Sequence, residues 1–378
     1  GLAGPAGCAG GAVNRGAAAR RLQRVFRDQP DAADVARGCV PPTVEELGAL
    51  LGAGGAGGGR GVEASWLRVY KRQLSVVQEL TQCCSQDACP AGAGGLCTVF
   101  GLPTALEPNV TWRAIGGPLG VASAFAEIFQ MQLCEGLEAA WGTAEEEVVD
   151  LLSLLDVPFN EAGANEVTSR NLGSELLHEL LRALSPAPGA AAPALAAYFG
   201  HDTNLQFLRR MLKLNWLSEG WWPNLAEPGS LLVFELYEEP GGSESVRLLK
   251  VAATPRQQRR AEPLTTEAPP SVVPLWIPGC RGLFCPMSQF AALAGAAIRR
   301  ECVEEAAEGG TAGAEFRHPE DSAPLRGMQA AAAGLASASA LAEPLGTVHA
   351  ESAPAGPGAP PAAAAGRAPG EVRAEQAG

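Results

Sequence analysis

The stretch "SLLVFELYEEPGGSESVRLLKVAA" (230–253) constrains this chain more than any other. Two apolar runs, 230–238 and 245–253, flank "EPGGSE", whose Pro-Gly-Gly supplies a turn. The pattern predicts a β-hairpin late in a chain whose earlier periodicities are helical. Strands therefore join helices in this chain.

The helical signals precede the hairpin. Residues 16–29, "GAAARRLQRVFRDQ", predict a short basic helix. Thr43 with Glu46 three residues on reads as a capping box and starts another. From Val62 to about Gln82 the larger apolar positions are Trp66, Val69, Leu74, Val77 and Leu80. The clearest helix runs from about Leu119 to Glu138, with Val121, Phe125, Ile128, Phe129 and Leu133 as its apolar recurrence. Further helices are predicted near 145–155 and over 173–184, so 42–185 is largely helical. "ALAAYFG" (194–200) reads as a short buried strand. A small loop and a helix close the ordered part. Residues 304–378 are Ala, Gly, Pro and Glu without period and are expected to be disordered. "GAGGAGGGRG" (52–61) is a flexible insertion.

A net charge of −13 argues against a nucleic-acid partner. No apolar run is long enough to cross a membrane as a helix. Ten cysteines suggest disulfides and an oxidising compartment, although "GLAGPAGCAGGAV" at the start is not a signal peptide. A zinc site over 83–97 is the rival use of the cysteines there. No histidine lies near, and the Cys-x4-Cys and Cys-x7-Cys spacings suit zinc poorly. Asn109-Val110-Thr111 forms an N-glycosylation sequon.

The chain has four histidines, and one of them, His201, is followed directly by Asp202 at the predicted start of a helix. A helix N-terminus offers free N–H groups and a positive dipole end to an anion. An imidazole there can donate to a phosphate oxygen. An aspartate beside a phosphate holds its proton more tightly and can pass it to a leaving alkoxide. The alternative is structural: Asp202 or Thr203 caps the helix and His201 is packed.

"GHDTNLQFLRRMLKLNW" followed by "PGSLLVFELYE" resembles the C-terminal half of the histidine acid phosphatases, in the bacterial-type phytase and glucose-1-phosphatase branch. "NVTWRAIGGPLGVASAFAEIFQMQLCEGL" (109–137), "GCRGLFCPMSQF" and "RREC" resemble further segments of that branch, in the same order. The resemblance covers about residues 1–303. It implies an α/β sheet domain, here incomplete, with an inserted, mostly α-helical domain. The implied boundaries are a remnant of the α/β domain at 1–41, the helical domain at 42–185, the α/β domain carrying the His-Asp pair at 186–303 and the tail at 304–378.

The resemblance also implies roles. Asp202 is the general acid and His201 contacts the phosphate. Thr203 and Asn204 flank the pocket. Glu127 lines the substrate side, or is simply a solvated helix glutamate. The implied activity is hydrolysis of phosphomonoesters, phytate-like or sugar phosphates, through a phosphohistidine, with no metal or other cofactor. The implied disulfides are Cys39–Cys302, Cys280–Cys285, and Cys97 with one of Cys83, Cys84 and Cys89, leaving Cys8 unpaired.

One departure stands out. The family nucleophile is a histidine in an Arg-His-Gly motif, and no such triplet occurs among the 378 residues. His178 sits mid-helix. His318 follows an arginine but precedes a proline, and His349 lies in the tail. The start of the chain resembles the region just after the family's second arginine motif. The expectation is therefore an N-terminally truncated phosphatase, inactive alone. The alternatives are a non-catalytic phosphate-binding or interaction relative and a zinc-stabilised binding module.

Overall fold

The computed structural model describes residues 23–51, 65–81, 99–102, 104, 106, 115–185 and 195–304. The insertion at 52–61, the sequon, the tail beyond 304 and Cys8, Cys83, Cys84, Cys89 and Cys97 lie outside the described residues, as does the front of the basic helix.

The helical block opens with α1 (Ala32–Ala36) and α2 (Val44–Leu50). The predicted box at α2 is present: Glu46 Oε2 accepts the Thr43 N–H at 2.8 Å, and Thr43 Oγ1 accepts the Glu46 N–H at 3.3 Å. Helix α3 (Lys71–Leu80) buries Leu74 and Val77. Val69, expected on the apolar face, is 70% exposed instead, because the helical stretch breaks at Tyr70 and the face turns there.

Helix α4 (Gly117–Cys134) has its core stripe at Leu119, Ala122, Ala126, Phe129 and Leu133. Ile128, predicted to lie inward, is 51% exposed, and Val121 and Phe125 are only partly buried. The small alanines are what allow α4 its close neighbours. At its first turn the approach is closer still, since a Cβ on Gly120 would lie 2.3 Å from the Ile115 carbonyl oxygen.

Next come α5 (Glu145–Leu151), a 3-10 turn (Leu152–Leu155) and a π-helix (Asp156–Gly163). Helix α6 (Glu166–Leu184) starts earlier than predicted because Asn165 caps it. One core gathers Leu47, Leu74, Val77, Phe129, Leu133, Leu151 and Leu152, with Trp221 and Leu225 joining from later in the chain.

The second core lies between helices and the sheet. Leu176 and Leu177 of α6 meet Leu208 and Leu212 of α7 (Asp202–Leu212), together with Val246, Leu248 and Phe290 from later in the chain. Helix α7 ends on Lys213 in the left-handed region, with φ of 55°.

The predicted hairpin is present as β1 (Leu231–Glu238) and β2 (Glu244–Ala252), antiparallel from Leu231↔Val251 to Glu238↔Glu244. Gly241 and Gly242 take φ of 109° and 80° in its turn, where a side chain would be strained. After a short α8 (Pro255–Arg259), β3 (Ser271–Leu275) pairs with the far half of β2. Strand β4 (Phe284–Pro286) pairs with its near half, and α9 (Met287–Ala297) packs behind.

Disulfides Cys39–Cys302 and Cys280–Cys285 form as the resemblance implied. Cys134 is a free thiol among the described residues.

The strand expected at 194–200 is not one. Residues 195–200 carry no regular structure, and Leu195 and Phe199 are 76% and 71% exposed. A run of apolar residues becomes a buried strand only where a neighbour pairs with it, and none does among the described residues.

Candidate active site

His201 is the N-cap of α7, in extended backbone at φ −93° and ψ 165°. Asn204 Oδ1 accepts the His201 N–H at 2.9 Å, and the Asn204 N–H donates to the His201 carbonyl at 3.1 Å. Asp202 Oδ1 accepts the Thr203 N–H at 2.7 Å. These bonds fix the turn with short polar side chains and leave the imidazole and carboxyl at the surface.

Part of the structural alternative is present, since Asp202 Oδ1 serves the helix start, but His201 is not packed inside the protein. His201 and Asp202 are both exposed, and the cap is His201 itself. Thr203 and Asn204 are buried at 4% each, and Asn204 spends its side-chain oxygen on the turn.

The Asp202 carboxyl is pushed above the usual carboxylate range. Desolvation is the largest cause and the Asp28 carboxylate adds to it, while the Thr203 N–H and the His201 imidazole oppose it. The residue has accessible surface and is nonetheless crowded by protein. The accessible surface decides that a ligand can reach it; the crowding explains why its proton is held. A carboxyl that keeps its proton beside an imidazole at a helix N-terminus can bind an anion and protonate a leaving oxygen.

Helix α7 is tied to the π-helix by Arg210. Its Nη2 donates to the Asn160 carbonyl at 2.8 Å, its Nε donates to the Ala164 carbonyl at 3.1 Å, and it pairs with Glu161 at 2.9 Å. Arg209, 7% exposed, donates from Nε to Gln206 Oε1 at 2.6 Å. Nothing in the local sequence marks Arg210 as an anchor; its partners lie about 50 residues earlier, a spacing without a sequence signature.

Glu127 is exposed on α4, whose core is the other one, so its relation to Asp202 is not fixed by a shared core. His178 is half-buried on α6. His318 and His349 lie outside the described residues. Among the described residues no cluster of three or more His, Cys, Asp or Glu could hold a metal ion, and no helix is long and apolar enough to cross a membrane.

The described residues pack helices against an antiparallel sheet and set an imidazole and a carboxyl at the start of one helix. Residues 117–251 match the histidine phosphatase superfamily (branch 2). It is 32% identical over 190 residues to the phytase AppA of Escherichia coli, covering 47% of this chain and 44% of that protein. It is 27% identical over 193 residues to the glucose-1-phosphatase of Salmonella typhimurium, covering 49% and 45%. The match thus spans less than half the length of these relatives.

Among solved structures, the phytase from Citrobacter braakii superposes with a TM-score of 0.60 at 26% identity, covering 74% of this chain and 71% of that one. The Hafnia alvei phytase in complex with myo-inositol hexakis sulphate superposes with a TM-score of 0.57 at 24% identity, covering 73% and 71%, and supports the fold alone.

Proposed function

We propose that the chain serves phosphomonoester hydrolysis of the histidine acid phosphatase kind, on a small phosphate ester such as phytate or a sugar phosphate. The observation that carries this reading is the exposed His201–Asp202 pair at the start of α7, with the carboxyl's proton held up, inside the matched region. His201 contacts a phosphoryl oxygen. Asp202, protonated, gives its proton to the oxygen of the departing alcohol as the P–O bond breaks and the phosphorus bonds to a nucleophilic histidine that these 378 residues do not supply; water then releases the phosphate from that histidine. Thr203 and Asn204 shape the wall behind them, and Glu127 faces the alcohol portion from the helical block.

The domain division in this reading is a helical insertion at 42–185 within an α/β domain made of 1–41 and 186–303. An oxidising or extracellular compartment fits the two disulfides.

A histidine nucleophile with its flanking Arg-His-Gly motif is not supplied by the 378 residues. Assayed alone, the chain is therefore expected to hydrolyse p-nitrophenyl phosphate no faster than background. The same observation supports a second reading, a non-catalytic phosphate-binding relative. The two part on a longer reading frame. A form carrying Arg-His-Gly upstream should turn over alkyl phosphates and lose about 10²–10⁴-fold in kcat with Asp202→Asn, because the leaving alkoxide then lacks a proton donor. An unchanged alkyl phosphate rate removes Asp202 from that role.

A further inference from the structure

The segment leading into His201 is not secured by a sheet among the described residues. Residues 195–200 carry no regular structure and no ladder partners, and Leu195 and Phe199 face solvent. Yet the His201–Asp202 turn has one defined position, so something else must hold it.

What touches it is Phe26. A Cβ built on Gly200 would lie 2.8 Å from Phe26 Cδ1 and 3.2 Å from Cε1, so the ring edge sits flush against the glycine backbone. The same Cβ would lie 2.7 Å from Asn204 Oδ1, the atom that accepts the His201 N–H. Gly200 is thus pinched between an aromatic ring and the cap. The Phe26 ring also meets Tyr198, with centroids 6.4 Å apart and planes tilted by 55°.

Phe26 is itself clamped from behind. Its neighbour Arg27, 7% exposed, donates from Nη2 to the Cys302 carbonyl at 2.9 Å and the Asn171 carbonyl at 3.1 Å. Arg27 also meets the fully buried Asp34 at 3.3 Å, and Asp34 pairs with Arg24 and Arg37 as well. The Cys39–Cys302 disulfide closes the same segment onto the short turn at residues 300–302. Residues 24–39 form a braced wall, and Phe26 is the point at which it presses on the turn.

We propose that Phe26 is a positioning residue for the His201–Asp202 turn, its ring setting where the imidazole and carboxyl stand. Its functional meaning rests on the reading of that pair given above, but its test reads the turn itself. The groups facing Asp202 are the His201 imidazole, the Asp28 carboxylate and the Thr203 N–H.

The experiment is an NMR titration of the 378-residue chain with labelled aspartate and histidine, resonances assigned through Asp202→Asn and His201→Gln. It compares the parent with Phe26→Ala, Phe26→Tyr, Gly200→Ala and a remote core control, Val77→Ala. With Phe26→Ala the contact on Gly200 is lost, the turn loosens, the crowding at the carboxyl eases, and its midpoint falls by about half a pH unit or more towards the ordinary value. The His201 ring signals shift with it. Phe26→Tyr keeps both near the parent, and Gly200→Ala moves both by crowding the same contact. Folding is checked by a cooperative melt. If Phe26→Ala does not fold, Phe26→Leu and Gly200→Ala carry the comparison. A folded variant lacking the ring edge with both groups unmoved overturns the proposal, as does an equal shift in Val77→Ala. Loss of Asp202 as a proton donor in a longer form would leave this result intact, and a null result here would leave proton donation intact.

Discussion

Lys250 and Glu227 form an ion pair in which neither side chain has any solvent exposure. The ammonium lies directly against the carboxylate. It also lies over the Trp216 ring, 5.2 Å from the centroid. Burial pushes the lysine below its usual range, and Glu227 opposes the shift. Lys250 sits on β2 at the centre of the sheet and Glu227 in the stretch before β1, and removing one member strands the other. Lys250→Met should destabilise the chain by about 3–5 kcal/mol in urea unfolding, and adding Glu227→Gln should recover much of that. A double variant no better than the single would show that the two charges are not coupled.

Asp202 predicts a pH-dependent stability. Folding raises its carboxyl above the ordinary aspartate range. A raised carboxyl favours the folded state while protonated. That contribution is full below the unfolded value, about 3.9 for a free aspartate, and is lost as pH rises through the folded value. Asp202→Asn removes the cost of ionisation and keeps an oxygen for the Thr203 N–H. The variant should melt higher than the parent at pH 7, and the gap should close on acidification to about pH 3.5. Solvent access keeps the gain small. A variant that melts lower at pH 7 would mean the carboxylate is stabilising where it stands.

Legibility in the sequence followed the range of the forces involved. The hairpin, its turn and the Thr43 box were readable because their partners lie within a few residues. Strand β3 was not, since five residues containing Pro274 give no alternation to read, and its partner lies over 20 residues back on β2. The misplaced strand at 194–200 had the right composition and lacked a neighbour, which composition does not encode. On α4 the sequence pointed to the large side chains, while the packing chose Ala122 and Ala126 for their size. The His201–Asp202 pair was visible as a motif. Phe26, which presses on it from over 170 residues away, carries no mark in its own surroundings.

Asn165 joins the π-helix to α6 and uses all of its polar atoms to do so. Its Oδ1 accepts the Thr168 N–H at 2.9 Å, and its Nδ2 donates to the Ala162 carbonyl at 2.7 Å and to Thr168 Oγ1 at 2.9 Å. The residue is 5% exposed, so water does not replace these bonds easily. Asn165→Ala should cost about 1–2 kcal/mol, at the upper end for a helix cap. Chemical denaturation measures it. Asn165→Asp keeps the cap acceptor and loses the donor, so a full recovery by aspartate would show that the bonds to Ala162 and Thr168 Oγ1 contribute nothing.

The two described disulfides should differ sharply in what they contribute. Cys280–Cys285 closes a separation of 5 residues, and Cys39–Cys302 one of 263. If a cross-link acts mainly by restricting the unfolded chain, the short loop is worth about 2 kcal/mol and the long one roughly 5–6 kcal/mol. The long bridge also backs the Arg27 contact with the Cys302 carbonyl, and hence the wall that meets Gly200. Replacing Cys39 and Cys302 by alanine should lower the melting temperature well beyond the loss from replacing Cys280 and Cys285, each pair compared with the parent under oxidising conditions. It should also weaken protection of the His201 and Asp202 amides in hydrogen exchange, because the segment bracing their turn is freed. Equal losses from the two pairs would mean that chain entropy does not govern these bridges. Unchanged amide protection would mean that Asn204 alone holds the turn.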